Sequence, residues 1–393
     1  MQKNIIKGII RLPPRYETLR MARDDYKLIS LFESLRVQVQ NGEGILDILL
    51  PMLKNGCEYT HIINAVSEHQ YEKVNEIIND LLGRGIIENI EDVDSNKFSQ
   101  SDMELYREQM KFFSNFYSLF DPQTVGSITK DNSFLMQKRL KDSKVMIIGL
   151  GRIGSRVTES LSCIGIGEIR GHDPEMITVS DVADGSYKQD DMGKPKGDVL
   201  KTRLAKYKNV NLVPMGTPSP FHNGDMAIPN DINLVVLCED KFDPEHHTSM
   251  NKVCLQKKIP WISYRNLGLK IEIGPTVIPY ETACFMCYQL RKASNSSSYE
   301  ESLAMQMRLM AQSSSLGTLN VSVGADMLVL EIVKILTNFS SPVTYSRIFS
   351  FDIVSFQATI RTVLKIPRCP ECGRSHDRPA PNVWQVGEFI GDL

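Results

Sequence analysis

Residues 145–154 read Val145-Met-Ile-Ile-Gly149-Leu-Gly151-Arg152-Ile-Gly154. The first five form a short apolar run fit for a central parallel strand, which is covered on both faces and needs no polar alternation. The glycines match GxGxxG directly after that strand and before a helical segment. Such glycines permit a tight turn and let a phosphate approach backbone N–H groups at a helix N-terminus. An acidic partner is expected about 20 residues on, and Asp173 follows the strand-like stretch Glu168–His172. Gly149, Gly151, Gly154 and Asp173 are therefore candidate nucleotide-binding residues.

Outward from this motif, helical and strand-like segments alternate: Arg156–Ile164, Glu168–His172, Met192–Lys206, Leu212–Met215, Leu234–Cys238, Pro244–Lys257 and Trp261–Asn266. That is a doubly wound α/β pattern. A Ser- and Met-rich stretch at 293–318 reads as loop plus helix, Asn320–Leu336 as a long apolar helix and Ile348–Lys365 as a hairpin. No Ser/His/Asp set, HExxH or Walker lysine loop is visible. His246-His247 reads as a solvated pair, because adjacent helical residues point to different faces.

Residues 1–95 read as a separate, winged-helix-like α+β domain. Tyr26–Leu31 and Leu35–Gln40 alternate in the strand period and are close enough for a hairpin. Gly44–Leu53 and Glu58–Val66 have helical character. His69–Leu82 places Val74, Ile77, Ile78 and Leu81 on one apolar face, and Ile86–Ile90 returns to strand. Residues 96–143 read as a linker and a helix at about 103–120, whose Phe112, Phe113, Phe116 and Phe120 suit plain packing. Residues 144–393 form the α/β part.

The 393 residues carry 42% apolar and 23% charged side chains, with 45 Lys plus Arg against 47 Asp plus Glu. This globular composition with a net charge of −2 argues against a nucleic-acid binder, which should show a basic excess. No apolar run reaches the roughly 18 residues needed to cross a bilayer, and the N-terminus lacks a signal-peptide pattern. A cytoplasmic protein is expected, and a reducing cytosol does not suit a disulfide framework. Four of the eight cysteines form two CxxC pairs, Cys284-Phe-Met-Cys287 and Cys369-Pro-Glu-Cys372. Each spacing lets two sulfurs grip one tetrahedral Zn²⁺, and four thiolates leave no open position, so a structural zinc is expected. Cys57, Cys163, Cys238 and Cys254 read as packing residues.

The order GxGxxG, an aspartate-ended strand, DMGKPKGDVL, VVLCED, GPTVIPYETACFMC and a distal CPEC resembles the ThiF/MoeB family of ubiquitin-activating-type adenylyltransferases over about residues 135–375. The resemblance implies a Rossmann-like fold, Mg·ATP, adenylation of a carboxylate, a Cys₄ zinc and a homodimer. It places Lys196 beside the phosphates and Asp240 on magnesium; if the site is active, these two are its catalytic residues. The chain departs from the family where charge matters. Asp181 and Asp184 stand where active members carry a phosphate-holding asparagine and arginine. Arg152 replaces a glycine, and the arginine expected after the CED segment is missing. An aspartate facing a triphosphate repels charge that an arginine would stabilise. The ATP and Mg²⁺ site therefore reads as vestigial.

A recognition-like N-terminal domain before such a site resembles the ocin-ThiF partner proteins of thiazole/oxazole-modified peptide biosynthesis, the class that serves thiopeptides and bacteriocins. That resemblance implies a non-catalytic scaffold. It would bind the leader of a ribosomally made precursor peptide and present it to a YcaO-type cyclodehydratase, with an azoline dehydrogenase as a further partner. The leader would add as a strand to the edge formed by Leu35, Arg36, Val37, Gln38 and Val39. Its apolar side chains would meet Val74, Ile77, Ile78 and Leu81, positions equally suited to the core. An active peptide-adenylating enzyme is the alternative.

Overall fold

The computed structural model describes residues 8–13, 15–21, 25–30, 36–84, 86–90, 100–114, 116, 133–206, 211–215, 228–239, 242–267, 269–298, 301 and 317–373. The chain divides into two compact units, residues 1–142 with 333–341, and residues 143–332 with 342–393. Leu35, Asp240 and Phe120 lie outside the described residues.

The first unit opens with β1 (Ile9–Arg11), β2 (Tyr16–Arg20), β3 (Tyr26–Ser30) and β4 (Arg36–Val39), followed by α1 (Ile45–Asn55), β5 (Cys57–Glu58), α2 (Tyr59–Ala65), α3 (Tyr71–Gly83) and β6 (Glu88–Ile90). Two antiparallel three-stranded sheets result, ordered β2-β3-β4 and β5-β1-β6. β3 and β4 pair as the expected hairpin, with Tyr26 opposite Val39 and Leu28 opposite Val37. β1 and β2 have no counterpart in the sequence reading, since three to five residues with mixed polarity give little period-2 signal.

α3 turns Val74, Ile78 and Leu81 inward at 0, 0 and 1% exposure, against Leu28, Ile45, Leu49 and Ile62. This corrects the peptide-contact expectation for those three residues: their side chains are the core and leave no surface for a ligand. Ile77 lies one position off that stripe and is half-buried.

α4 (Gln100–Leu105), α5 (Arg107–Ser114) and α6 (Ser133–Asp142) belong to the same unit. The expected single helix is thus two short ones, parted at Tyr106. Tyr106, Met110 and Phe134 cluster against Ile9. Arg11 donates to Glu88 at 2.7 Å and to Ser133 at 2.8 Å, a buried link between β1, β6 and α6. Phe112, Phe113 and Phe116 pack on Phe339 at centroid distances of 5.7, 5.5 and 4.7 Å. This is packing, as their spacing suggests.

The second unit is built on one eight-stranded sheet. Its strands are β7 (Lys144–Ile148), β8 (Glu168–His172), β9 (Asn211–Met215), β10 (Leu234–Cys238), β11 (Trp261–Asn266), β12 (Lys270–Ile273), β13 (Arg347–Asp352) and β14 (Gln357–Thr362). The order is β14-β13-β12-β11-β10-β7-β8-β9. β9 to β11 run parallel, and β12, β13 and β14 add antiparallel. The connecting helices include α7 (Arg152–Cys163), α8 (Val179–Ala183), α9 (Lys196–Leu204), α10 (Pro244–Lys257), α11 (Phe285–Ser294) and α12 (Gly317–Thr337). α9 starts four residues later than the sequence period suggests, because Pro195 holds the extended N-cap position. From β7 the chain steps to β8 on one side and later to β10 on the other. The carboxyl ends of these strands form the switch point where ligands settle in open α/β sheets. No helix among the described residues is long and apolar enough to cross a membrane.

Candidate functional site

β7 ends in the turn Gly149-Leu150-Gly151, and α7 starts at Arg152. The turn forces Gly149 to a φ of +86°, and a Cβ there would sit 2.4 Å from the Cys238 carbonyl oxygen. A Cβ on Gly154 would sit 1.8 Å from the Gly149 carbonyl oxygen. Both glycines are thus obligatory for the close approach of loop, helix and β10. Gly154→Ala is expected to cost about 3 kcal/mol or more, because backbone rather than a flexible side chain must move. A fall in melting temperature of about 6 °C or more would show this; an unchanged melt would refute the close approach.

The loop is held from the stretch after β8. Asp173 accepts from Leu150 N at 2.8 Å and from Glu175 N at 2.9 Å. The Tyr187 hydroxyl donates to Leu150 O at 2.7 Å, and burial pushes that phenol above its ordinary range. Lys196 is 3% exposed. Its Nζ meets Asp173 at 3.2 Å, Glu175 at 3.4 Å and Asp181 at 3.6 Å. Burial opposes its charge, but the three carboxylates outweigh it and hold the ammonium above the usual lysine value. Arg152, also mostly buried, pairs with Asp184 at 3.4 Å. The structure therefore brings Gly149, Gly151, Gly154, Asp173 and Lys196 together at the ends of β7 and β8.

Two neighbours were missed in the sequence. Glu239, just past β10, pairs through Oε1 with His246 Nδ1 at 2.5 Å. Burial raises the Glu239 carboxyl, and Glu239 in turn raises His246. His247 is 1% exposed, among Phe242, Trp261 and Phe285. Burial lowers it to about 3, so it is neutral. The expectation of a solvated histidine pair fails because α10 turns His247 straight onto the sheet. The middle acid of Cys238-Glu239-Asp240 was the available signal, passed over for its neighbour.

A second cluster lies where α11 meets the chain after β14. Cys284, Cys287, Cys369 and Cys372 are all buried, with sulfurs within 4.8 Å of one another. The Sγ···Sγ distances are 3.8 Å for Cys284–Cys287, 3.6 Å for Cys284–Cys369 and 3.5 Å for Cys287–Cys372. A disulfide would need about 2.05 Å. A tetrahedron of bonds of about 2.3 Å has edges close to those observed, so the tetrad could hold a metal ion. Gly373 N bonds back to Cys369 O at 2.8 Å, and Ile366 N donates to Cys287 Sγ at 3.4 Å, which close the turn around the distal pair.

In the first unit, β4 ends the order β2-β3-β4. Arg36 and Gln38 are exposed, while Val37 and Val39 are half-buried against the core. Gln38 Nε2 donates to Asp25 at 3.0 Å.

Fold and site together define a Rossmann-like α/β unit with a glycine turn after its first strand and a buried thiol tetrad, preceded by a smaller α+β unit. Residues 122–374 match the ThiF family. The chain belongs to the ThiF family. It is similar to the molybdopterin-synthase adenylyltransferase of Salmonella typhimurium, with 24% identity over 253 residues, 63% of this chain and 94% of that protein. Ubiquitin-like modifier-activating enzyme 5 of Dictyostelium discoideum is 25% identical over 166 residues, 38% of this chain and 42% of that protein. Among solved structures, E. coli MccB with AMPCPP and MccA superposes with a TM-score of 0.62 at 17% identity, covering 93% of this chain and all of that one. PaaA gives 0.60 at 18%, covering 90% and 99%. These likenesses extend the shared fold over both units.

Proposed function

We propose that the chain is a non-catalytic ThiF-family scaffold that captures the leader of a ribosomally made precursor peptide and presents it to a YcaO-type cyclodehydratase. The observation that carries the non-catalytic part is the charge balance at the glycine loop. Lys196 is locked among three carboxylates and Arg152 against a fourth. Neither guanidinium nor ammonium faces the loop uncompensated, and a triphosphate needs such cations. Asp181 and Asp184 are the acids that stand where active relatives of this type carry an asparagine and an arginine.

Capture would fall to the first unit, a winged-helix-like recognition domain in this reading. β4 offers an open sheet edge, so a leader can add as a strand and gain main-chain hydrogen bonds. The contact set narrows to Arg36, Val37, Gln38, Val39 and Ile77, with Leu35 adjoining. The thiol tetrad holds zinc, which pins residues 369–372 to α11 and takes no part in chemistry, since four thiolates fill its coordination. MccB, described in its structure as a microcin C7 biosynthetic enzyme, is seen with N-formylated MccA. This supports a place for the present chain in the same broad kind of biosynthesis.

The test is a titration of the full chain with a labelled leader from a precursor encoded beside it. Micromolar binding is expected. Val37→Asp with Val39→Asp should weaken it at least about tenfold, because a charge then replaces about 1.5 kcal/mol or more of apolar contact. Absence of binding at micromolar concentration would sink the reading. A second reading, an enzyme adenylating a peptide carboxylate, is favoured by the intact loop geometry of Gly149 and Gly154 and by E. coli MccB being seen with ATP. Lys196 and Asp240 would then act on Mg·ATP. It predicts peptide-dependent pyrophosphate release by the purified chain alone.

A further inference from the structure

The first unit has a second opening, on the side of the β2-β3-β4 sheet away from β4. It is a cavity of about 690 Å³, within the size range of ligand pockets. Tyr16 and Met110 lie at its floor, at 4 and 2% exposure. Lys54, Glu104, Arg107 and Glu108 stand on its rim. Lys54 comes from the last turn of α1, Glu104 from the end of α4, and Arg107 and Glu108 from the start of α5.

These four charges form no ion pair or hydrogen bond among the described residues. Glu104 and Arg107 are three apart, a spacing that would pair them on a continuous helix. The break at Tyr106 between α4 and α5 parts them instead. Two acids and two bases are thus held open beside charges already matched, Glu17 with Lys111 at 3.9 Å and Arg11 with Glu88 at 2.7 Å, over Leu12, Tyr16 and Met110. A rim of balanced sign gives neither a polyanion nor a polycation a net attraction. It fits a chain that carries one charge of each sign and packs apolar side chains between them. β2, whose Tyr16 and Glu17 line the wall, is the other edge strand of its sheet and adds main-chain partners for an extended segment.

We propose that this cavity docks an extended peptide segment bearing one basic and one acidic side chain, a second contact for the peptide that β4 captures. It rests on the reading of the first unit as a peptide-binding unit. The basic side chain meets Glu104 and Glu108; the acidic one meets Lys54 and Arg107.

The test uses fluorescence anisotropy of the full chain with two labelled synthetic peptides. One is Thr-Val-Lys-Val-Ser-Glu-Val-Thr; the other has Ser in place of Lys and Glu. The charged peptide should bind about tenfold tighter, as two partly screened ion pairs allow, and the advantage should vanish at high salt. Glu104→Lys with Glu108→Lys should bring it to the neutral peptide's level; Lys201→Ser, at an exposed position of the second unit, should leave it unchanged. Equal binding of the two peptides to the wild type, or a preference for the charged peptide that survives the rim variant, overturns the proposal. The salt dependence of the wild type decides if the double variant misfolds. The leader titration reads β4 separately, so either reading can fail while the other stands.

Discussion

Replacing Cys369 and Cys372 with serine is expected to take bound zinc from one ion per chain to none and to lower the melting temperature by about 10 °C or more. The four sulfurs lie 3.5 to 3.8 Å apart along three edges of the tetrad, too far for a disulfide and right for a shared ion. Without a cation, deprotonated thiols packed this closely would repel, and protonated ones would leave buried S–H groups with poor partners. Cys284 and Cys287 are 0% exposed, so the variant leaves a half-site that water cannot easily heal. Structural zinc supplies about 10 kcal/mol or more in small zinc-finger peptides. Even a third of that is about 10 °C at about 2–4 °C per kcal/mol for a unit of this size. The sheet from β7 to β11 should survive, because its core does not depend on the clip. Metal analysis with a thermal melt checks both parts. A wild type without zinc, or a serine variant that melts like it, would refute the site.

The sequence made the parallel half of the sheet legible, because β7 and β10 are short apolar runs and the strand-like segments at β8, β9 and β11 alternate with helical ones. β12 escaped because it has only four residues: Lys270-Ile-Glu272-Ile alternates in the strand period, but over too short a run to stand out. The two CxxC pairs announced their cluster because ligand spacing is a local property. The peptide surface did not, because an amphipathic stripe states that a face is apolar and not what covers it. Val74, Ile78 and Leu81 went to the core while Ile77, in the same run, stayed half out. His247 shows the same limit: burial came from how α10 lies on β11, which no local spacing encodes. The ion pairs of Lys196 with Asp173 and of Arg152 with Asp184 join residues well separated in sequence, so only the fold could reveal that both cations are already matched.

That matching sets the second large effect. The wild type is expected to bind Mg·ATP no tighter than about 1 mM, and Asp181→Asn with Asp184→Arg to reach about 10 μM. Around the loop, Asp173, Glu175, Asp181 and Asp184 stand against Lys196 and Arg152. A triphosphate entering there meets a net negative wall. At an effective dielectric constant of about 20, one unit charge at about 4 Å is worth about 4 kcal/mol. The double variant removes one acid from Lys196 and turns another into a cation. The expected gain of about a hundredfold, about 2.7 kcal/mol, is a modest share of that. Asp181→Asn keeps an oxygen to accept the 2.8 Å bond from Thr178 N, so the start of α8 should hold. The guanidinium that Asp184→Arg introduces would face Arg152 as a like charge, a strain that only an anion between them relieves, which ties the gain to phosphate. Calorimetry with ATP, against adenosine as the uncharged control, separates the cases. Micromolar binding by the wild type would show that the carboxylates do not close the site and would shift weight to the adenylating enzyme. A folded double variant with no gain would show that charge is not what closes it.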